Sequence, residues 1–277
     1  MHKIWVAGAN GLVGSELVKS GCLGATRQQL DITSDEQISL FIDKNKPTAI
    51  INAAAQANVN LADVEKELSY EVNGYAVGRL ASICREKGVR LVHISSDYVL
   101  DQPNAKVLTE DMPTNPRSEY AKSKLLGEEL ALEHDAVVVR VQWVYRPGYL
   151  NFFTKAIKWM NEGTEISLVH DQIGAPTAVH ALATGLVKAA ESGPTGLFQL
   201  ACQGETSAEG WIRKGAELAG VDVKAKSVSR TTFSGPYRPA RSVLSSERFE
   251  QAWGLKLPTW DVALEQSMKN NPPQNWL

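Results

Sequence analysis

The sequence lacks the features that would place the protein in a membrane or in an oxidising compartment. Its 277 residues contain only three cysteines, Cys22, Cys84 and Cys202, without Cys-x-x-Cys spacing, and five scattered histidines. An odd number of unclustered cysteines argues against a disulfide framework or a Cys/His metal centre and is typical of reduced thiols. No apolar run approaches the eighteen or so residues that a membrane helix needs. We therefore expect a cytoplasmic protein with no metal site and no membrane partner.

The sequence also lacks an excess of charge of one sign. It has 29 Lys and Arg against 31 Asp and Glu, a formal net charge of -2. Proteins that bind nucleic acid carry a strong positive field, so we expect no nucleic-acid partner. At roughly 150 residues per domain, the length allows one large domain or two closely joined domains.

Short β-branched runs alternate with segments of helical length in the first half of the chain. This alternation predicts a parallel sheet with helices on both faces, a Rossmann-type doubly wound α/β fold. The strand-like runs are 3–9, 48–53, 89–95 and 136–141, and the helical segments are 11–20, 35–45, 72–87 and 117–134.

The regular alternation loosens after about Tyr145, where glycine- and proline-bearing connections separate the remaining helical segments. We therefore predict a dinucleotide-binding domain over residues 1–145 and a smaller α/β substrate lobe over residues 146–277. Segments near 165–200 are expected to pack back on the first domain. A cleft between the two parts is the expected place for chemistry.

A glycine-rich turn follows the first predicted strand and precedes a helix with apolar periodicity. Glycines in this context give a tight turn and let the backbone approach a pyrophosphate, which then faces the helix N-terminus. The turn therefore predicts a nicotinamide dinucleotide site, although its spacing is GxxGxxG rather than GxGxxG. The expected contacts in this turn are Gly8, Asn10, Gly11, Leu12, Val13 and Gly14.

The second predicted strand, near residues 22–26, is followed by Arg27 and not by an acidic residue. An acid at this place holds the ribose 2′-hydroxyl of NAD, whereas an arginine accommodates the 2′-phosphate of NADP. Arg27 therefore favours NADPH, with NADH as the alternative. Asp31, the nearest acid downstream, either contacts the adenosine part of the cofactor or closes a local turn.

Three residues form a candidate catalytic set. Tyr120 and Lys124 are four residues apart in a helical segment, so they lie on one face of that helix. A cation one turn away stabilises a phenolate, so we expect Lys124 to lower the pKa of Tyr120. Ser96 ends a predicted strand at the sheet edge where ligands bind in such folds, and it is placed to bind a substrate carbonyl.

These motifs resemble those of the extended short-chain dehydrogenases/reductases. Within that superfamily the chain most resembles the dTDP-4-dehydrorhamnose reductase family, and the similarity covers nearly the whole sequence. The segments that carry it are 8–14, 30–33, 51–55, 72–73, 95–99, 120–124, 140–145, 151–152, 171–177 and 238–239.

The resemblance implies that NADPH reduces the C4 ketone of a nucleotide-activated 4-keto-6-deoxy sugar, most closely dTDP-4-dehydrorhamnose. Ser96 would bind the carbonyl oxygen, Tyr120 would donate a proton to the developing alkoxide, and Lys124 would hold the nicotinamide ribose.

A homodimer is common among such reductases. Further cofactor contacts are expected from Ile32, Ala53, Ala54, Ala55 and Asn73, and substrate contacts from Ser96, Asp97, Tyr98, Trp143, Asn151, Gln172 and Arg238.

Three segments depart from the family pattern where the sugar nucleotide is expected. Residues 56–63 replace the usual Tyr-Thr-x-Val-Asp-x-Ala-Glu, Val141-Gln142 replaces Thr-Ser, and Leu100-Asp-Gln102 replaces Phe-Asp-Gly. Such polar changes can re-specify a pocket, so a related reductase or epimerase with another keto substrate stays open. A non-catalytic NADP-binding subunit, like the regulatory subunit of methionine adenosyltransferase, is disfavoured by the complete Ser96, Tyr120 and Lys124 set.

Overall fold

The first half of the chain alternates between short strands and helices. A computed structural model describes residues 3–277. Its elements up to residue 145 are β1 (Ile4–Ala7), α1 (Leu12–Lys19), β2 (Leu23–Ala25), α2 (Asp35–Asn45), β3 (Ala49–Asn52), α3 (Val59–Val64), α4 (Lys66–Tyr70), α5 (Ala76–Glu86), β4 (Arg90–Ser96), α6 (Glu119–Leu132), β5 (Val137–Val141) and β6 (Val144–Tyr145). A π-helical turn, Glu71–Tyr75, joins α4 to α5.

The second half mixes longer helices with strands of two to four residues. Its elements are α7 (Phe152–Asn161), β7 (Ile166–Val169), β8 (Ile173–Gly174), β9 (Thr177–Ala178), α8 (Val179–Glu191), β10 (Gly196–Gln199), β11 (Thr206–Ser207), α9 (Ala208–Ala219), β12 (Ala225–Val228), β13 (Arg241–Ser242), α10 (Glu247–Trp253) and α11 (Trp260–Asn270). None of the helices within residues 3–277 is long and apolar enough to cross a membrane.

Six parallel strands form the central sheet, in the order β10-β5-β4-β3-β1-β2. Successive residues of one strand enter different cores: Ile51 packs with α1 and α8, whereas its neighbour Ile50 packs with α2 and α5. Helices therefore cover both faces, because side chains alternate along each buried strand. The predicted doubly wound α/β fold is confirmed.

The strand order reverses at β1, which has β2 on one side and β3 on the other. In sheets of this kind the ligand crevice opens beyond the carboxyl ends of the strands at such a reversal. Gly8 follows β1 there with a φ of 79°, and a Cβ on it would lie 2.8 Å from the backbone nitrogen of Ala54, just after β3. Only glycine fits this position without a clash.

Part of the second half returns to the central sheet. Strand β10 pairs with β5 along its whole length, with Phe198 opposite Val139. Helix α8 packs on β1, β3, β4 and α1. The remaining lobe has small sheets of its own and a core in which Trp211 contacts Trp143, Tyr145 and Phe153.

Candidate active site

Strand β4 and helix α6 bring Ser96, Tyr120 and Lys124 together. Ser96 is the last residue of β4, and α6 packs against that strand. Helix α6 begins after Ser118, whose side chain accepts a hydrogen bond from the Ala121 backbone nitrogen at 3.2 Å. This cap places Tyr120 in the first turn of the helix, close enough to Ser96 for that hydroxyl to act on the pKa of its phenol.

Burial controls the protonation of Tyr120. It raises the pKa of the phenol to about 12, although the hydrogen bond from Ser96 acts to lower the pKa. Lys124 Nζ instead donates to the Ile94 carbonyl oxygen at 2.7 Å and lies 3.3 Å from His93 Nε2. The pKa of Tyr120 is raised overall because desolvation of the phenol, together with the charge of Asp97, outweighs the effect of Ser96; that Lys124 lowers this pKa stays a prediction.

Asp97 lies behind Ser96 and is only 2% exposed. Its carboxylate accepts hydrogen bonds from Ser96 Oγ at 3.1 Å and from Ser242 Oγ at 2.5 Å. Burial raises its pKa to about 6, against the lowering effect of these bonds. Asp97 was expected to contact the substrate directly, but this position makes it a residue that orients the Ser96 hydroxyl.

A buried ion pair joins helix α6 to the central sheet. The Glu128 carboxylate accepts hydrogen bonds from Ser95 Oγ at 2.9 Å and from Arg140 Nε at 3.0 Å, and its other oxygen pairs with Arg140 Nη2. Both charged side chains are only 2% exposed. Because α6 carries Glu128 and β5 carries Arg140, the pair fixes the helix that holds Tyr120 and Lys124 to the sheet.

Two polar residues next to Lys124 were not expected from the sequence. Asn52 ends β3, and its side-chain nitrogen lies 3.2 Å from Nδ1 of His93, which is fully buried in β4. One feature of the sequence could have predicted this contact of His93: it is a titratable residue within an otherwise apolar strand. Burying such a group requires hydrogen-bond partners.

The glycine turn is shaped to receive a phosphate group. A Cβ on Gly14 would lie 2.1 Å from the Gly8 carbonyl oxygen, so the helix and turn approach more closely than a side chain permits. Helix α1 starts at Leu12, and its N-cap Gly11 supplies no side-chain hydrogen bond. The first backbone N–H groups, including those of Leu12 and Val13, are therefore free of a side-chain cap, as in helix N-termini that bind anions.

A groove of about 580 Å³ lies between Asn10 of this turn and the segment that follows β2. Arg27 Nε pairs with Asp31 at 3.2 Å, and Thr33 donates two hydrogen bonds to Asp31. Burial acts to raise the pKa of Asp31, but these bonds outweigh it and lower the pKa. Asp31 thus closes a local turn and also lines the groove; its contact with the adenosine part of a cofactor stays a prediction. The lining residues are Asn10, Thr26, Arg27, Gln28, Asp31 and Gln37, of which Thr26, Gln28 and Gln37 were not expected.

Three other expected contact residues have structural partners instead. The Ile32 side chain is buried in the core with Ile38 and Phe41, so only its backbone can border the groove. Asn73 holds both the backbone nitrogen and the carbonyl oxygen of Gln56, at 2.9 and 3.0 Å, and thereby fixes the segment that follows Ala53, Ala54 and Ala55.

Asn151 likewise has local partners for its whole amide. Its oxygen accepts a hydrogen bond from the Thr154 backbone nitrogen at 3.1 Å as the N-cap of α7, and its nitrogen donates to the Arg146 carbonyl oxygen at 2.6 Å. Both asparagines therefore position the chain, and their direct contact with a ligand stays a prediction.

Residues from distant parts of the chain meet near Tyr98, which follows β4. Arg238 Nη2 donates to Asn60 Oδ1 at 3.0 Å, and Arg238 lies close enough to Tyr98 to act against the burial that raises the pKa of its hydroxyl. The Tyr98 ring meets the Tyr120 ring edge to face, with ring centroids 5.7 Å apart. This chain of contacts connects the candidate proton donor to an exposed cation.

Trp143 and Gln172 lie next to β8, Gln172 directly before it in the chain and Trp143 packed on it from the segment between β5 and β6. Trp143 has a left-handed φ of 42°, and its indole ring packs on Gly174, where a Cβ would lie 2.7 Å from the ring. The Gln172 carbonyl oxygen accepts a hydrogen bond from the Ala208 backbone nitrogen at 2.9 Å. These contacts tie both residues to the lobe and join neither of them to Tyr120.

Comparison with known proteins identifies the family. The family model described as the RmlD substrate binding domain matches residues 1–272. The chain belongs to the RmlD family. The predicted resemblance is therefore confirmed over nearly the whole chain.

Individual relatives of this RmlD family member agree with that assignment. A dTDP-4-dehydrorhamnose reductase of Burkholderia thailandensis is 34% identical, with 95% of this chain and 96% of the relative covered. A dTDP-4-keto-6-deoxy-D-glucose reductase of Streptomyces niveus is 30% identical, with 95% of each chain covered. A dTDP-4-dehydrorhamnose reductase of Bacillus anthracis, solved in complex with NADP, superposes with a TM-score of 0.92 at 28% identity over 98% of this chain and 100% of that chain.

Proposed function

We propose that this RmlD family member is an NADPH-dependent reductase that converts dTDP-4-dehydrorhamnose to dTDP-L-rhamnose by reducing the C4 ketone. The observation that carries the proposal is the placement of Ser96 at the end of β4, next to the first turn of α6 with Tyr120, and with Lys124 one helical turn further along. Relatives named as dTDP-4-dehydrorhamnose reductases over nearly the full chain length support the choice of substrate.

The cofactor would lie along the glycine turn and the adjoining groove. Gly8 and Gly14 leave room for the pyrophosphate, the start of α1 offers backbone N–H donors, and Arg27 would bind the 2′-phosphate. The bound nicotinamide supplies the hydride for the C4 carbon. The relative solved with NADP supports NADPH as the cofactor, and NADH remains the alternative substrate for the test below.

Tyr120 would donate the proton that the reduced oxygen needs. A pKa of about 12 keeps its phenol protonated at neutral pH, which is the state that a proton donor requires. Ser96 donates to Asp97 in this structure, and its hydroxyl would turn from Asp97 to the substrate carbonyl oxygen to hold it beside that phenol. Both residues then act on the same oxygen, one by fixing its position and the other by transferring a proton.

The sugar nucleotide would lie between these residues and the lobe. Arg238 is an exposed cation near Tyr98, and we propose that it binds the diphosphate of the substrate. Trp143 and Gln172 would border the rest of the ligand.

We also propose that the protein is a cytoplasmic homodimer. Its three free, buried cysteines support a reducing compartment.

A second substrate is favoured by one specific observation. Asn60, in the segment that departs from the family pattern, is the partner of Arg238, so this departure lies at the proposed substrate side. One relative is named for a different keto sugar, as a dTDP-4-keto-6-deoxy-D-glucose reductase. Another 4-keto sugar nucleotide is therefore the alternative substrate.

The deciding experiment compares wild type with Tyr120→Phe, following NADPH and NADH oxidation with enzymatically generated dTDP-4-dehydrorhamnose. We expect turnover to fall by about 10²–10⁴-fold in the variant, with the Kd for NADPH unchanged, because only the proton donor is lost. Tyr75→Phe is the matched control, because that tyrosine is 51% exposed and lies outside the proposed site.

Each other outcome removes one part of the proposal. Full turnover by Tyr120→Phe would show that another group donates the proton. An inactive wild type that binds NADPH tightly would reject this substrate and lead to other keto sugars. A wild type that binds neither nucleotide would reject the reductase assignment itself.

A further inference from the structure

Asp97, directly after β4, and Ser242, in β13, form a buried contact that the proposed reaction does not use. Both residues are only 2% exposed, and Ser242 Oγ donates to Asp97 Oδ2 at 2.5 Å. The other carboxylate oxygen, Oδ1, accepts a hydrogen bond from Ser96 Oγ at 3.1 Å. One carboxylate therefore joins the substrate lobe to the hydroxyl that is proposed to hold the substrate carbonyl.

The Ser96 hydroxyl has a single proton to donate. Its oxygen already accepts a hydrogen bond from the Tyr98 backbone nitrogen at 3.2 Å. An ionised carboxylate only accepts, so Ser96 gives its one proton to Asp97 as long as Asp97 carries its charge. The carbonyl oxygen of a substrate also only accepts, and it therefore competes with the ionised Asp97 for the same proton.

Protonation of Asp97 removes this competition. A carboxylic acid has one O–H donor, and a hydroxyl oxygen has two lone pairs, of which Ser96 uses one for Tyr98. A protonated Asp97 can donate to the second lone pair, which leaves the Ser96 proton free. We propose that substrate binding protonates Asp97, which then acts as a positioning residue that holds Ser96 by donating to it and leaves the Ser96 proton to the substrate.

Gln142 directs the added proton to the side of Asp97 that faces Ser96. Backbone groups fix the Gln142 amide: its nitrogen donates to a carbonyl oxygen at 3.1 Å, and its oxygen accepts from an N–H group at 3.2 Å. The amide oxygen therefore faces Ser242 Oγ, at 3.4 Å, and cannot donate to it. Ser242 keeps its own proton in the much shorter bond to Asp97 Oδ2, so the added proton goes to Oδ1, beside Ser96.

The proton comes from solvent when the substrate binds and returns to solvent when the product leaves. Burial raises the pKa of Asp97 to about 6, so most of the ligand-free protein carries an ionised Asp97 at neutral pH. The hydrogen bond from Ser96 acts to lower that pKa, so its transfer to the substrate raises the pKa further. Binding and protonation therefore favour each other, a linkage that rests on the proposed function of Ser96.

The groups that face Asp97 from neighbouring elements keep their main charge state between pH 5 and pH 7. Tyr98 and Tyr120 lie close enough for Asp97 to raise the pKa of each phenol, and burial raises it further, so both phenols stay protonated. From β13, Arg241 next to Ser242 is paired with Glu205.

The other ionisable groups on these elements likewise do not titrate in this range. Burial lowers the pKa of Lys124 of α6 only to about 8, so its amine stays mainly charged below pH 7. Burial keeps His93 of β4 neutral, because it lowers the pKa of the ring well below its usual value. Arg238, near Tyr98, donates to Asn60. A change between pH 5 and pH 7 that Asp97→Asn removes can therefore be assigned to Asp97.

Initial rates with enzymatically generated dTDP-4-dehydrorhamnose and saturating NADPH test the proposal. We expect the wild-type KM to rise about tenfold from pH 5 to pH 7, because about nine in ten molecules must take up a proton at pH 7. Asp97→Asn presents an NH₂ donor to Ser96 and keeps an acceptor for Ser242, so its KM should change by less than about twofold.

The pH profile of kcat should be the same in wild type and Asp97→Asn, because the bound complex already carries the proton. A KM that rises equally in both proteins would overturn the proposal. A lower kcat in Asp97→Asn with an unmoved KM profile would indicate a structural role alone and would also overturn it.

Glu110→Gln is the matched control for the removal of a buried carboxyl group. Burial raises the pKa of Glu110 as well, but its carboxylate accepts from the Gln199 backbone nitrogen at 2.9 Å instead of from Ser96. We expect this variant to keep the wild-type rise in KM. If it flattened the profile as Asp97→Asn does, the effect would not belong to Asp97.

Calorimetric titration counts the proton directly. The keto sugar is titrated at pH 7 into protein with NADP⁺, which has no hydride to transfer, in two buffers of different ionisation enthalpy. We expect the wild type to take up about one proton on binding and Asp97→Asn to take up none. Equal uptake by the two proteins would contradict the proposal.

Nuclear magnetic resonance without any substrate separates this proposal from the proposed function. In ligand-free protein labelled with ¹³C-aspartate, the Asp97 carboxyl, assigned by its loss in Asp97→Asn, should titrate at about 6. Ser96→Ala removes the hydrogen bond that the substrate would draw away, so it should raise this pKa by about one unit. A wild type without turnover would refute the proposed function, whereas an Asp97 pKa that is unchanged in Ser96→Ala would refute the coupling of Ser96 to Asp97.

Discussion

The two ends of the proposed cofactor groove control charge in different ways. At the catalytic end Asp97 and Lys124 are each only 2% exposed, and burial moves the pKa of both toward neutrality. At the adenosine end the Arg27 side chain is 74% exposed, and hydrogen bonds hold the pKa of Asp31 below its usual value. Desolvation dominates at one end, whereas solvated pairing dominates at the other.

Because of this difference, we expect substitutions at the catalytic end to change the stability of the fold and substitutions at the adenosine end to change the preference for the nucleotide. A change at the catalytic end alters the charge state of groups that the core also depends on, so it affects folding as well as chemistry. A change at the adenosine end removes a partner that water can replace, so it alters ligand preference with little cost in folding. Three predictions test this contrast.

The largest expected effect is at the buried pair beneath α6. Glu128→Gln leaves Arg140 buried without its counter-charge, so we expect the free energy of unfolding to fall by about 3–5 kcal/mol. Glu119→Gln on the same helix is the control: Glu119 is partly exposed and its partners Lys66 and Lys122 are exposed, so the expected loss is below about 1 kcal/mol. Urea unfolding measures both, and equal losses would remove the contrast between buried and exposed charges.

Asp97 should impose a pH dependence on stability that no group at the adenosine end matches. Its pKa is raised from 3.8 to about 6 in the folded protein, so its favourable contribution is present below pH 3.8 and is lost as the pH rises through about 6. Relative to wild type, Asp97→Asn should therefore gain about 3 kcal/mol of stability between pH 4 and pH 7. Parallel pH–stability curves for the two proteins would show that Asp97 ionises normally.

The smallest effect on folding is expected at Arg27. Arg27→Ala should weaken NADPH binding by about 10–100-fold and NADH binding by less than about twofold, because only NADPH carries the phosphate. The free energy of unfolding should change by less than about 0.5 kcal/mol, since the side chain is exposed. Arg85→Ala, an exposed arginine paired with Asp135, is the control for calorimetric titration. Equal weakening of both nucleotides would argue against a phosphate contact.

The sequence was sufficient to predict most of the sheet and the candidate catalytic set. Helix α2 begins and ends at the predicted residues, and β1, β3, β4 and β5 lie at the apolar runs. Buried parallel strands are continuous apolar segments, and a tyrosine four residues before a lysine keeps its spacing on any helix. Local pattern therefore carried both predictions.

Features that depend on distant contacts were missed. The π-helical turn before α5 lies where Gly127 of α6 approaches the Asn73 carbonyl oxygen, a contact that no local pattern encodes. Helix α11 was not predicted, because its buried face includes Ala263 and Ser267 and is only weakly apolar. Ser242 reaches Asp97 from far along the chain, so neither its role nor the altered pKa of Asp97 follows from sequence spacing.

The late return of α8 and β10 to the central sheet has a consequence for biosynthesis. When β5 has left the ribosome, its outer edge still lacks β10, and the face later covered by α8 is still exposed. An uncovered parallel edge is prone to pairing with other chains, so the nascent protein depends on rapid completion of the lobe. Strand β10 also lies after residue 145 in the chain. A chimaera that joins two relatives at this residue would therefore take the edge strand of the central sheet from the same relative as the lobe.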